Sequence, residues 1–263
     1  SARDGNAMSE CRHAALVVAH NEEDRIADCL DRLAFADEIV VVLDDCSDGT
    51  KTIAARYTGR LVEGSWELEG DRRNAGFAAC EGDWVLEVDA DEQVTTELAV
   101  EIRQVISTSP ADWHLIPVDN YVGERLVRYG WGASFGRSAF PGLTRKGVKR
   151  VGAQRVHPSL TLDGKEGAAL KQRLQHFVDR DISDMIKRLD SYSTARALDL
   201  RDSGDLGSFG ANVRRIFSRF WKCYVGRHGY REGELGFLVA LLAGLFPILS
   251  YFKARYGDEF GDN

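Results

Sequence analysis

Four short, mostly apolar runs govern what this chain can fold into: AALVVAH (14–20), EIVVVL (38–43), DWVLEV (83–88) and WHLIPV (113–118). Each is too short for a buried helix, and the stretches between them change to helical spacing. Ile26, Leu30 and Leu33 fall on one helical face, and Asp48 stands where it can cap a helix carrying Ile53 and Ala54. GRLVEG (59–64) gives a further short strand, RRNAGFAAC (72–80) a helix, and Thr95 to about Ser107 another. Continuous apolar strands alternating with helices predict a mostly parallel sheet covered on both faces, an α/β architecture.

In such sheets ligands bind beyond the carboxyl ends of the strands. His20 and Asn21, Asp44 and Asp45, and Asp89 and Asp91 all fall there, at three separate strand ends. In VLEVDADEQV (85–94) a buried strand runs straight into Asp89, Asp91 and Glu92. Two carboxylates one residue apart can approach a hard cation such as Mg or Mn, which binds carboxylates together with substrate phosphates. The plainer alternative is that these acids only open the next helix at Thr95 and Thr96. No G-x-G-x-x-G or Walker sequence is present, so phosphates need another cradle. Arg72 and Arg73 offer guanidinium donors for that purpose, or are solvated helix charges.

Charge is divided unevenly along the chain. The net value of −7 conceals −14 over residues 1–100 and +7 over the remainder. An acidic amino-terminal half speaks against a nucleic-acid surface, which needs clustered Lys and Arg, and suits a cation-assisted site. Five cysteines without a C-x-x-C pair indicate neither a disulfide framework nor a zinc site, and fit a reducing cytoplasm. The opening SARDGNAMSE lacks the basic-then-apolar order of a signal peptide.

Residues 121 to about 167 are glycine-rich and irregular and suggest a substrate-facing subdomain, in which Tyr129 and Trp131 could stack on a sugar or base or form a small core. Helical patterns resume at Asp181. RIFSRFWKCYVGRHGYREG interleaves arginine and lysine with aromatic residues, and is followed by LGFLVALLAGLFPILSYF (235–252), eighteen residues without a charge. That run is short for a bilayer span and is interrupted by Pro247. It reads as a segment lying in the interface of an anionic membrane, against the alternative of a buried carboxy-terminal helix pair.

The ordered blocks VVAHNEEDRI, EIVVVLDDCSDGT, RRNAG and GDWVLEVDADEQV resemble family 2 inverting glycosyltransferases of the GT-A fold, in particular bacterial lipopolysaccharide-core glucosyltransferases. The likeness is strong over residues 12–120 and looser, through YGWG, VHPSL and HF, to residue 177. It implies a nucleotide-sugar-binding half (12–120), an acceptor-binding half of the same domain (121–180) and a helical extension, membrane-associating, over 181–263. It further implies that Ala19, Asn21 and Glu22 hold the nucleoside, with Glu22 near the ribose. Asp44 or Asp45 would read the pyrimidine edge, although Leu43 stands where the family has its acid. Arg73 and Asn74 would lie beside the diphosphate, Asp89 and Asp91 would hold Mg or Mn, and His176 would complete the metal shell.

An inverting transfer also needs a base for the acceptor hydroxyl. Where relatives have VHE this chain has VHP, so Pro158 replaces that glutamate. His157 is the first choice for the base because its ordinary pKa suits the task, with Glu92 and Asp119 behind it. The resemblance implies a UDP-glucose-like donor, a lipid-linked saccharide or glycolipid acceptor, an anionic membrane surface, no nucleic acid, and a cytoplasmic, peripheral location on the inner face of the cytoplasmic membrane. Two other readings share the alternating sheet: a sugar nucleotidyltransferase, and a non-catalytic nucleotide-sugar-binding membrane adaptor.

Overall fold

The computed structural model describes residues 12–131, 136–153 and 158–260. Its first half follows the expected alternation: β1 (His13–Ala19), α1 (Ile26–Asp31), β2 (Glu38–Asp44), α2 (Thr50–Ala54), β3 (Leu61–Gly64), α3 (Glu69–Ala79) and β4 (Trp84–Asp89). The four strands pair in parallel in the order β3-β2-β1-β4. All seven residues of β1 are buried, as a strand covered on both faces requires. Next come β5 (Glu92–Gln93), α4 (Thr96–Thr108), β6 (Trp113–Val122) and β7 (Arg125–Val127). The Thr95 hydroxyl caps α4 by accepting the Leu98 amide hydrogen bond at 3.2 Å.

The glycine-rich stretch after β7 departs from expectation. It contributes β8 (Ala139–Arg145), inserted antiparallel between β4 and β6, so the sheet continues β4-β8-β6-β11-β5. β9 (Lys149–Val151) and β10 (Leu160–Leu162) form a separate antiparallel pair, and β11 (Leu174–Asp179) runs parallel to β6. The sheet is therefore mixed but mostly parallel over its amino-terminal part, as an α/β fold with helices on both faces. Among the described residues the four cysteines are free thiols.

Among the described residues three α-helices follow β11, α5 (Ile182–Ser203), α6 (Phe209–Trp221) and α7 (Gly233–Phe260), with short π and 3-10 turns joining the last two. Asp181 caps α5 through the Asp184 amide at 2.9 Å, and Gly204 ends it in the left-handed region at φ 68°. The inner face of α7, including Val239, Ala240, Ala243 and Phe246, packs with Met185 and Leu189 of α5 and with Val127 and Trp131. Trp131 is thus core, its indole N–H donating to the Val127 carbonyl at 2.5 Å. By length and composition α7 could cross a bilayer, yet 61% of its apolar window is buried within the fold.

One contact sets how closely α3 approaches the sheet. A Cβ at Gly76 would stand 2.5 Å from Leu16 Cδ1 and 2.7 Å from Val42 Cγ2, so only a residue without a side chain fits there. Gly76→Ala is expected to lower stability by about 1–3 kcal/mol through overpacking, read as a reduced urea midpoint at unchanged m-value.

Candidate active site

A cleft of about 760 Å³ opens at the carboxyl ends of β1 and β4. That volume lies in the range of small-molecule binding sites. Its floor comes from Val18, Ala19 and His20 at the end of β1 and from Asp89, Ala90 and Asp91 at the end of β4. Glu22, Trp66, Arg72 and Arg73 form one side. The other is built by Arg137, Phe140 and Lys149 from the β8–β9 region, by His176 of β11, and by Arg188, Ser191, Tyr192 and Ala195 of α5.

Beneath the cleft lies a buried ionic network. Glu87, only 3% exposed, accepts from Arg73 Nη1 at 2.6 Å and from the Lys149 ammonium group. The same Arg73 nitrogen reaches Asp89 Oδ1 at 2.9 Å, while its Nε donates to Glu69 at 2.8 Å. Arg137 Nη2 sits 2.6 Å from Glu92 and 3.4 Å from Asp89 Oδ2, with its guanidinium 3.6 Å above the centre of the Phe140 ring. Burial raises the Asp89 pKa, but Arg73 and Arg137 outweigh it and hold the carboxyl below its ordinary range. Asp91 stands apart from these arginines. It lies 3.4 Å from His176 Nε2 and 3.8 Å from Arg25 Nη1. His176 Nδ1 is 3.0 Å from Asn120 Oδ1, which orients the ring. Burial lowers the His176 pKa, and Asp91 more than reverses that, leaving it above the usual value.

Residues 14–130 match the model of glycosyl transferase family 2. The lipopolysaccharide core biosynthesis glycosyltransferase LpsC of Rhizobium meliloti (strain 1021) is 22% identical over 91% of this chain and 90% of its own length. Similarity to glycosyltransferase family 2 thus covers residues 14–130, the stretch that builds the parallel strands β3-β2-β1-β4 of the sheet. An uncharacterized glycosyltransferase of Rickettsia bellii (strain RML369-C) is 29% identical over 92% of this chain and 85% of that one. Among solved structures, residues 1–349 of S. aureus TarS in complex with UDP align over 95% of this chain and 92% of that one, at 16% identity and a TM-score of 0.49.

Of the residues that the sequence singles out, Ala19, Glu22, Arg73, Asp89, Asp91 and His176 converge on the cleft. Other residues named from the sequence are not among those lining it. The Asn21 side chain accepts from the Ser47 amide at 2.8 Å and tethers the loop after β2. Asp44 accepts from Trp66 N at 3.0 Å and Arg72 Nη1 at 2.8 Å, and so positions two lining residues from behind. Asp45 is exposed, with φ 47°. Asn74 exchanges two hydrogen bonds with the Val151 backbone, at 2.8 and 3.0 Å, and clamps β9 to α3. Glu92 is 0% exposed and bound to Arg137 and the Asp89 amide, and Asp119 pairs with Arg173 at 2.6 Å. His157 lies outside the described residues; its neighbour Pro158 lines the cleft.

Arg137, Lys149 and the α5 residues had no part in the sequence reading. For α5 a signal existed: Arg188, Ser191, Tyr192 and Ala195 recur at helical spacing on one stripe. Arg137 and Lys149 carry no such local mark.

The donor atoms fit a divalent ion in one particular way. Among the described residues no group of three or more His, Cys, Asp or Glu stands ready to hold a metal. Asp91 and His176 nevertheless present an oxygen and an imidazole nitrogen to the cleft, free of the guanidinium groups that cover Asp89. Two protein ligands supplemented by phosphate oxygens and water is an ordinary arrangement for Mg, and the imidazole also suits Mn.

Glu22 is the second carboxyl with a displaced pKa. Burial, reinforced by Asp91 and opposed by Arg25, raises it from 4.5 to about 7. The folded state therefore binds more protons than the unfolded chain between these values, so its stability contribution is present below pH 4.5 and is lost as pH rises through about 7. Glu22→Gln should remove that slope. Melting curves of the two proteins should diverge between pH 5 and pH 8, with the variant gaining on the wild type; parallel curves would contradict the assignment.

Proposed function

We propose that the chain is a metal-dependent inverting hexosyltransferase that moves a sugar from a UDP-glucose-like donor to a lipid-linked acceptor, such as a lipopolysaccharide core, on the inner face of the cytoplasmic membrane. The observation that carries this reading is the convergence of Asp89, Asp91, His176, Arg73 and Glu22 on one cleft at the strand ends. The match of residues 14–130 to glycosyltransferase family 2 supports the transfer chemistry, and the similarity to LpsC, a lipopolysaccharide core biosynthesis glycosyltransferase, supports the acceptor class. Residues 12–120 would bind the donor, 121–180 the acceptor, and 181–263 the membrane.

Ala19 and Glu22 would contact the nucleoside, with Asn21, Asp44 and Asp45 shaping the loops around it. Trp66 presents an aromatic face at this end of the cleft. Arg73, held by Glu69 and Glu87, and Arg137 would meet the diphosphate with guanidinium donors suited to its oxygens. Asp91 and His176, with Asp89 behind them, would hold Mg or Mn. When bound, that ion offsets the charge that develops on the departing nucleoside diphosphate. For the base, His157 remains the choice on its ordinary pKa, whereas Glu92 and Asp119 are both engaged by arginines.

A coupled assay of UDP release from UDP-glucose, with an acceptor glycolipid, tests the roles separately. Asp91→Ala should lower kcat by about 10²–10³-fold, because the electrostatic stabilisation it supports acts in the transition state. Arg73→Ala should chiefly raise the donor KM. His157→Gln should reduce kcat by about 10²–10⁴-fold with the donor KM unchanged. Normal turnover by the Asp91→Ala enzyme in chelator would remove the metal from this account.

A further inference from the structure

We propose that the protein docks onto an anionic bilayer through the outer face of α6 and α7, with both helices lying along the surface and neither crossing it. The proposal rests on the reading above only for the choice of a membrane as the site of action.

The face is apolar where a surface helix should be polar. On α6, Phe209, Val213, Phe217 and Trp221 recur every fourth residue, and Phe217 and Trp221 are 71% and 65% exposed. On α7, Phe237, Leu241, Leu245 and Phe252 share a stripe opposite its buried side, and Phe237, Leu241 and Phe252 are exposed. The two stripes abut at both ends. Phe220 meets Phe237 at 5.3 Å between ring centres, and Phe209 meets Phe252 at 6.1 Å. These contacts make α6 and α7 antiparallel neighbours and merge their stripes into one surface. A patch of this kind on a folded protein marks an interaction site.

Charge selects its occupant. Residues 209–231 contain Arg214, Arg215, Arg219, Lys222, Arg227 and Arg231, and no Asp or Glu. Among the described residues none of these six is bridged to a carboxylate. Arg215 donates to Asn212 at 2.9 Å, Arg227 to the Trp131 carbonyl at 2.9 Å, and Arg219 sits 5.7 Å from the Phe246 ring centre. Arg214 and Lys222 are exposed beside Trp221. Aromatic side chains flanked by unpaired cations match the boundary between acyl chains and anionic headgroups. A protein partner reading the same face would need to supply both a large apolar surface and several carboxylates.

Docking by this face keeps the fold intact. α7 already buries its other side against α5, where Arg201 donates to the carbonyls of Lys253 and Ala254 at 2.7 and 3.0 Å. Crossing a bilayer would expose that packed side and its hydrogen bonds to lipid. The other end of α5 carries Arg188 and Tyr192 into the cleft, so one helix joins the catalytic wall to the bundle that meets the membrane.

Flotation of the full chain with phosphatidylcholine vesicles, with or without phosphatidylglycerol, tests the proposal without donor or acceptor. The wild type should float with anionic vesicles, lose binding in high salt and be released by carbonate. The triple variant F217S/W221S/F237S should lose binding by about tenfold or more. Replacing Arg214 and Lys222 with Gln should weaken it by about fivefold per charge. Stabilisation by UDP, measured on every variant, reports folding and donor binding separately, so loss of docking and loss of the transferase reading remain distinct. In a wild-type background, brominated lipid should quench a fluorescence component that is missing from Trp221→Phe. Undiminished flotation of the triple variant would overturn the proposal. So would retention of the wild type after carbonate, or a dimer in solution that the variant disperses without any vesicle binding.

Discussion

Asp89 is held between two arginines, and the rest of the site depends on that arrangement. Glu87, Asp89 and Glu92 are three acids within a six-residue stretch at a strand end, the two glutamates buried and Asp89 partly so. Left unpaired in a region of low dielectric, such carboxylates would be untenable. Arg73 from α3, Lys149 from β9 and Arg137 from the segment before β8 pair with them. Each partner comes from a different part of the chain, so the network also determines how those parts assemble. Removing one member leaves the others buried and uncompensated, which for such pairs costs about 3–5 kcal/mol.

The network separates two carboxylates that look equivalent in the sequence. Asp89 is neutralised by guanidinium groups and faces them with both oxygens. Asp91, two residues on, pairs among the described residues with His176 and the more distant Arg25, and opens to the cleft. One acid organises the cations that suit a diphosphate, and the other remains available for a divalent ion. The two acids of a single D-x-D motif thus meet different surroundings, Asp89 the arginines and Asp91 the cleft and His176.

The parallel half of the sheet was legible because its signals are local. Buried strands such as LVVA and IVVV, and the capping Thr95, carry their structure in a few adjacent residues. The acids at the strand ends were legible for the same reason. β8 was not, since AFPGLTR contains Pro141 and Gly142, which normally speak against a central strand. It is tolerated here between β4 and β6, beside an irregularity in the register at His114 and Ile116. Arg137 and Lys149 escaped notice because their meaning arises only when β8 and β9 bring them against β4. Asp44 and Asn74 illustrate the converse: both fall in matching motifs, yet their side chains fix neighbouring backbone and arginine rather than reach the cleft.

The helical bundle is tied to the site through α5, which contributes to both the cleft and the core beneath α7. At the centre of the account stands the claim that Asp91 shares a divalent ion with the donor diphosphate. Electron paramagnetic resonance of free Mn²⁺, recorded during titration with the protein in the presence and absence of UDP, tests it most directly. The account predicts weak capture of Mn²⁺ by the protein alone, strong capture once UDP is added, and loss of that gain in Asp91→Asn. Equal capture of Mn²⁺ with UDP by the wild type and by Asp91→Asn would contradict it.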